Sequence, residues 1–281
     1  MQWSDIEWTD ATWGVVHGCT RVSRGCENCY AERISRQYGH TEHPWEPEHA
    51  EDVVQLKPEK LDEPLSWPAT SPQDWGTFPY ADHDAPPSGD HPVRVFVNSM
   101  SDLFHSQVPE SFIADVLEVC RQRPEHVYQI LTKRPGRAAH LDLDWPENVW
   151  LGTSVEDADV VERIDLLRDA DAETLFVSFE PLLGPIEWVD FTRIDWAIVG
   201  GESGPDGQRR EMDSAWAREL HEACIEQSVP FFFKQHSGRH HGAERYLHEA
   251  EFGLGRKFEE YPALPESTRA LIPEVTQTHA D

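Results

Sequence analysis

Lysine is nearly missing from this chain. Only five occur, at positions 57, 60, 133, 234 and 257, so the 24 basic residues are mostly arginine. Acidic residues number 52, and the net charge is -28. An acidic binding surface or a nucleic-acid mimic would give such a balance. Acid spread along the whole chain with little lysine fits better a protein kept soluble in concentrated salt, where self-repulsion is screened. The charge then says little about partners. No run of about 18 apolar residues occurs, so no membrane span and no membrane partner are expected. The opening MQWSDIEWTDATW lacks the basic region and apolar stretch of a signal peptide. A cytoplasmic protein with reduced cysteines is the expectation. The 281 residues suffice for one large α/β domain or two smaller ones, with a sizeable core.

Cysteine is also sparse, yet three of the five fall within GCTRVSRGCENCYAER (18–33). Cys19, Cys26 and Cys29 are spaced as Cys-x6-Cys-x2-Cys. Thiolates bind soft metals, and the small residues between Cys19 and Cys26 allow the chain to curl back. Three readings follow from this spacing. The first is a [4Fe–4S] cluster, which normally takes four cysteines and with three leaves one iron open. The second is a structural Cys3His zinc site completed by His17. The third is a redox dithiol. Cys120 and Cys224 lie on predicted helix faces and read as buried small hydrophobes.

The rest of the chain reads as a parallel α/β fold. Trp3, Ile6 and Trp8 suggest an anchor laid across a barrel. TWGVVH (12–17) reads as a first strand ending at the cysteine loop. Residues 29–38 have helical spacing, stopping at Gly39. Residues 40–92 read as an insertion, with 71–92 a surface segment or lid. Strands then follow at 93–100, 126–133, 148–156, 174–181, 195–204 and 229–235. Helices are expected at 109–123, after 156 through about Arg168, and at 213–227 with Asp213 as N-cap. Seven βα repeats predict a partial (β/α) TIM-like barrel over residues 1–255. Residues 256–281 form an acidic tail expected to fray.

Each strand ends in polar or small residues. They are Asn98, Ser99, Ser101 and Asp102; Thr132, Lys133 and Arg134; Thr153, Ser154 and Glu156; Ser178 and Glu180; Gly200, Gly201, Glu202 and Ser203; and Lys234 and Gln235. Ligands of parallel α/β folds bind at these carboxyl ends. Glu180, Glu202 and Lys234 are the catalytic candidates. Asn98, Ser99, Asp102, Thr153, Ser154 and Glu156 are candidates for lining a ligand site there. Arg21, Arg24, Lys133, Arg134, Arg209, Arg210 and Lys234 predict a basic mouth on an acidic body, suited to a phosphate-bearing or carboxylate substrate.

Ordered blocks over residues 5 to about 238 resemble a family of phage and prokaryotic proteins known by a three-cysteine motif, a domain of unknown function. The blocks are IEWTDATW, GC-x6-C-x2-CYAER, FVNSMSDLFH, LTKRP, WLGTSVE, FVSFEPLLGPI, DWAIVGGESG and FFFKQ. More remotely, the chain resembles radical S-adenosylmethionine enzymes, which place a three-cysteine [4Fe–4S] loop after the first strand of a partial barrel. That resemblance implies cluster ligation by Cys19, Cys26 and Cys29, with S-adenosylmethionine on the open iron and Tyr30 near its adenine. It also implies an electron donor and makes Asn98, Ser99, Asp102, Thr153, Ser154 and Glu156 cofactor-binding candidates; with the basic mouth, the expected substrate is charged and of unknown identity, a nucleotide or nucleic acid being one option. The superfamily's usual first cysteine gap is three residues; here it is six. Its Gly-Gly-Glu motif ends the second strand; here GGE (200–202) ends the sixth. Two rivals remain. One is a zinc-stapled, non-catalytic barrel serving as a protein-partner module in phage or DNA-related processes. The other is a zinc hydrolase with Glu180 or Glu202 as base.

Overall fold

Short runs rich in Val, Ile, Phe and Trp favour extended backbone and pair side by side. The computed structural model describes residues 2–67, 93–240, 242, 245–248, 255–256 and 258–270. Eight strands form one sheet in chain order. They are β1 (Gln2–Trp3), β2 (Ala11–Trp13), β3 (Arg94–Val97), β4 (Val127–Thr132), β5 (Val149–Ser154), β6 (Thr174–Phe179), β7 (Trp196–Gly200) and β8 (Phe231–Gln235). β1 runs antiparallel to β2. The other seven are parallel and curl into a half-barrel.

Among the described residues five α-helices are longer than one turn: α1 (Tyr30–Gln37), α2 (Glu110–Gln122), α3 (Pro135–His140), α4 (Arg163–Arg168) and α5 (Ser214–Gln227). Asp213 caps α5, accepting from the Ala215 amide at 2.8 Å. Gly39, at φ +70°, follows the end of α1. Cys120 and Cys224 are fully buried in α2 and α5.

Successive side chains of a strand point to opposite faces, and here the two faces separate cleanly. Val95, Val97, Tyr128, Ile130, Leu151, Val177, Phe179, Ala197, Val199, Phe231 and Phe233 pack with residues of α2, α4 and α5 in the main core. Their alternates Phe96, Val127, Trp150, Phe176, Trp196, Ile198 and Phe232 pack together around Trp8. The Trp8 ring lies 4.7 Å from Phe96 and 6.2 Å from Trp196. This second cluster fills the half-barrel at the end where the strands begin.

Four expectations change. The first predicted strand splits. Residues 11–13 join the sheet, whereas Val16–His17 turns away to pair with Gln55–Leu56. The split follows from Asn98, whose Oδ1 accepts from the amides of both Val15 and Val16 at 2.9 Å and bends the chain there. The fifth repeat has no helix: residues 180–195 connect β6 to β7 irregularly. The helix α3 was not foreseen, because its six residues span fewer than two turns and carry no periodic apolar signal. The described part of the tail is docked instead of fraying. Phe258 is buried, the Tyr261 ring lies 5.3 Å from that of Trp196, and Thr268 is buried. The segment 71–92 lies outside the described residues.

Candidate functional site

The strands end around a cavity of about 1210 Å³. On β5, β6 and β8 the inward positions pass from Trp150, Phe176 and Phe232 to Ser154, Ser178 and Lys234. Ser154 and Ser178, register partners on β5 and β6, line it, as do Glu180 and Lys234. Cys19, Cys26 and Cys29 line it too, together with Tyr30, Asn98, Ser99, Asp102 and Glu202.

The cysteine loop is strapped to the barrel by charge. Gly18, at φ +82°, turns the chain into it; a side chain there would collide with the Val53 carbonyl. Ser23 donates to Glu156 at 2.9 Å. Gly25 packs so close to the same carboxylate that no Cβ fits. Arg24 pairs with Asp157 at 2.9 Å, and Asn28 donates to Glu202 at 2.9 Å. Arg134 pairs with Asp102 at 2.8 Å, donates to the Thr20 carbonyl at 2.8 Å and reaches the Cys19 sulfur at 3.4 Å. The Tyr30 hydroxyl donates to the Ser99 carbonyl.

Several of the predicted site residues have their side chains engaged by the protein itself. Glu156 is 1% exposed and does not line the cavity; it holds Lys133 at 3.1 Å and Arg163 at 3.0 Å. Burial would raise its pKa, but these cations outweigh that and hold it below the ordinary carboxylate value. Thr153 is fully buried and donates to the Thr132 carbonyl at 2.9 Å, away from the cavity. Asp102 accepts from Thr132 at 2.7 Å and from two backbone amides. Glu202 is taken up by Arg210 and Asn28, and despite partial burial its pKa is lowered by them.

The basic mouth is also revised. Each of its seven predicted cations is matched by carboxylate. Arg21 meets Glu32 and Glu46; Arg24, Asp157; Lys133, Glu156; Arg134, Asp102; Arg209, Asp206 and Glu211; Arg210, Glu202 and Glu27; and Lys234, Glu180. Lys57, Lys60 and Arg33 were passed over. They line the cavity and have no ion pair among the described residues. The signal was present as KPEK (57–60), two of only five lysines in one turn.

Glu180 and Lys234 form the pair best placed for chemistry. They lie 2.9 Å apart and each side chain is 15% exposed. Burial would lower the Lys234 pKa; Glu180 more than offsets this and raises it. Ser178 donates to the other Glu180 oxygen at 3.1 Å.

A family model described as Protein of unknown function (DUF5131) matches residues 3–262. The chain belongs to that family. No curated protein and no solved structure matches it. The cysteine motif, the strand-end residues and the docked tail up to Tyr261 all fall within this DUF5131 match.

The DUF5131 cysteines have the donor chemistry of a soft-metal site. Burial pushes the Cys19 thiol up to about 12, with Asp102 adding to the rise, and burial also raises Cys29. Such thiols stay protonated until a cation displaces the proton. Lys133, Arg134 and Arg21 stand near enough to interact with the sulfurs. Among the described residues no three His, Cys, Asp or Glu side chains close on one point as a metal-ligand set. His17, the fourth ligand of the zinc reading, has its Nε2 hydrogen-bonded to Ser35 at 3.1 Å. No helix among the described residues is long and apolar enough to cross a membrane.

Proposed function

We propose that this chain is an iron–sulfur enzyme of the radical S-adenosylmethionine type, acting on a charged substrate held in the half-barrel. One observation carries the reading. The cysteine loop follows the first parallel strand, and Cys19, Cys26 and Cys29 line the same cavity as Glu180 and Lys234. Three thiolates would hold a [4Fe–4S] cluster and leave one iron free for a second ligand. When bound, such a cluster supplies one-electron reduction of a sulfonium cofactor.

The chain's own residues do the rest. Arg134 donates to the Cys19 sulfur and offsets thiolate charge, a contact of the kind that tunes cluster potential. Asp102 fixes that guanidinium through a 2.8 Å ion pair. Glu156 locks the loop through Ser23. Lys234 Nζ pairs with Glu180 Oε1 at 2.9 Å, beside the space left for substrate. Ser154, Ser178 and Ser99 line that space.

The test is anaerobic purification with iron and sulfide reconstitution, followed by metal analysis and electron paramagnetic resonance with and without S-adenosylmethionine. About four irons per chain, with a reduced-cluster signal that shifts on adding the cofactor, is expected. The Cys26→Ala variant should lose the cluster absorbance. One tightly held zinc and no iron overturns the reading and leaves a zinc-stapled module.

A further inference from the structure

Four of the chain's five lysines line one cavity: 57, 60, 133 and 234. The fifth, Lys257, lies outside the described residues. In a chain of net charge -28, that concentration calls for a reason. Lys133 and Lys234 have one, since the first neutralises the buried Glu156 and the second the half-buried Glu180. Lys57 and Lys60 do not. Among the described residues neither has an ion pair, and the Lys57 ammonium meets only the Gln55 side-chain oxygen, at 3.2 Å.

These two lysines are held firmly. The Lys57 amide donates to the Val15 carbonyl at 2.7 Å. The Lys60 carbonyl accepts from the Trp13 indole at 2.8 Å. Their turn is thereby stitched to the strand that precedes the cysteine loop, and both side chains are half-buried on the cavity wall. Arg33, from α1, lines the same cavity without an ion pair among the described residues.

A second observation is tied to them through Val15, whose carbonyl takes the Lys57 amide and whose own amide donates to Asn98. Asn98 is 3% exposed and lines the cavity. Its Oδ1 accepts from Val15 and Val16, which settles the orientation of the amide. Its Nδ2 then has no partner among the described residues. A buried donor without an acceptor is costly, and a ligand oxygen would satisfy it. One carboxylate, Glu59, also lines this stretch, exposed to solvent.

We infer that Lys57, Lys60 and Asn98 form an anion subsite that takes a phosphate group of the substrate. Two compact ammonium charges on one turn, with a neutral amide donor behind them, suit a phosphate dianion with several acceptor oxygens. A carboxylate would be served by a single arginine fork. The inference rests on the proposed function only in taking the same cavity as the substrate site; it does not depend on which metal the cysteines hold.

The test is equilibrium dialysis of the anaerobically purified full chain against inorganic phosphate, with succinate as a second ligand. Phosphate should bind saturably and succinate should not displace it. The Lys57→Gln/Lys60→Gln variant should weaken phosphate by about tenfold or more, with unchanged circular dichroism and metal content. Arg36→Gln/Arg121→Gln removes the same charge from exposed positions that do not line the cavity and should leave binding unchanged. Asn98→Asp keeps the acceptor for Val15 and Val16 but loses the donor, and should also weaken phosphate. The inference falls if phosphate does not bind, if succinate competes equally, or if the two double variants behave alike. Lysine-dependent phosphate binding in a protein without a cluster would sink the proposed function alone. An intact cluster without such binding would sink the anion subsite alone.

Discussion

The two ends of the same seven strands solve opposite problems. Where the strands begin, inward side chains are Phe96, Trp150, Phe176, Trp196 and Phe232, closed by Trp8. Where they end, the inward and adjoining groups are Ser154, Ser178, Glu180, Lys234 and the cysteine loop. The first end is held by contact area, which is non-directional and tolerant of rearrangement. The second is held by buried charge pairs, each of which costs desolvation and is recovered only with correct geometry. Buried pairs are a weak source of stability but a strong constraint on position. The mostly buried Arg134–Asp102 pair, with the Ser23–Glu156 hydrogen bond and the part-exposed Arg24–Asp157 pair, accordingly places the loop more than it stabilises the fold.

The largest expected effect tests the aromatic end. Trp196→Ala should cost about 3–5 kcal/mol in denaturant unfolding, because its ring contacts Trp8, Trp150, Phe176 and Phe232. Metal content of the folded fraction should not change. A parallel loss of metal would show that the two ends are not separable.

Glu156→Gln should cost about 3 kcal/mol at neutral pH, since Lys133 and Arg163 are then left facing each other. Here metal retention should fall as well. The pH dependence has a definite sign. The folded-state pKa of Glu156 is depressed, so its contribution is complete above the unfolded value of about 4.3. It is lost as pH falls through the lower folded value. Wild type should therefore lose stability to acid more steeply than the Gln variant below about pH 4. Equal acid limbs would remove Glu156 from the strapping of the loop.

A double-mutant cycle on Glu180→Gln and Lys234→Met should give a coupling of about 1–2 kcal/mol, read from thermal or denaturant unfolding. Additive effects would mean that the 2.9 Å pair is not formed in solution. The smallest change expected is Thr153→Val, about 1 kcal/mol from one lost hydrogen bond, with cluster content and phosphate binding untouched. An effect on either would return Thr153 to the site.

Local patterns carried much of the fold. Period-two alternation and polar residues at strand ends are written within each segment, so seven parallel strands, the α5 cap at Asp213 and a polar-lined cavity at the carboxyl ends were legible without coordinates. So were the burial of Cys120 and Cys224 and the helix after the third cysteine. Which charges meet was not legible. Ser23 and Glu156 are 133 residues apart, Arg134 and Cys19 115 apart, and Asn28 and Glu202 174 apart. No periodicity encodes such pairs, because charge complementarity acts through space once the strands have aligned. Only the tertiary structure could turn a predicted basic mouth into a set of satisfied ion pairs. It also left Lys57 and Lys60, in a turn that looked like mere insertion, as cations without ion pairs among the described residues of the wall.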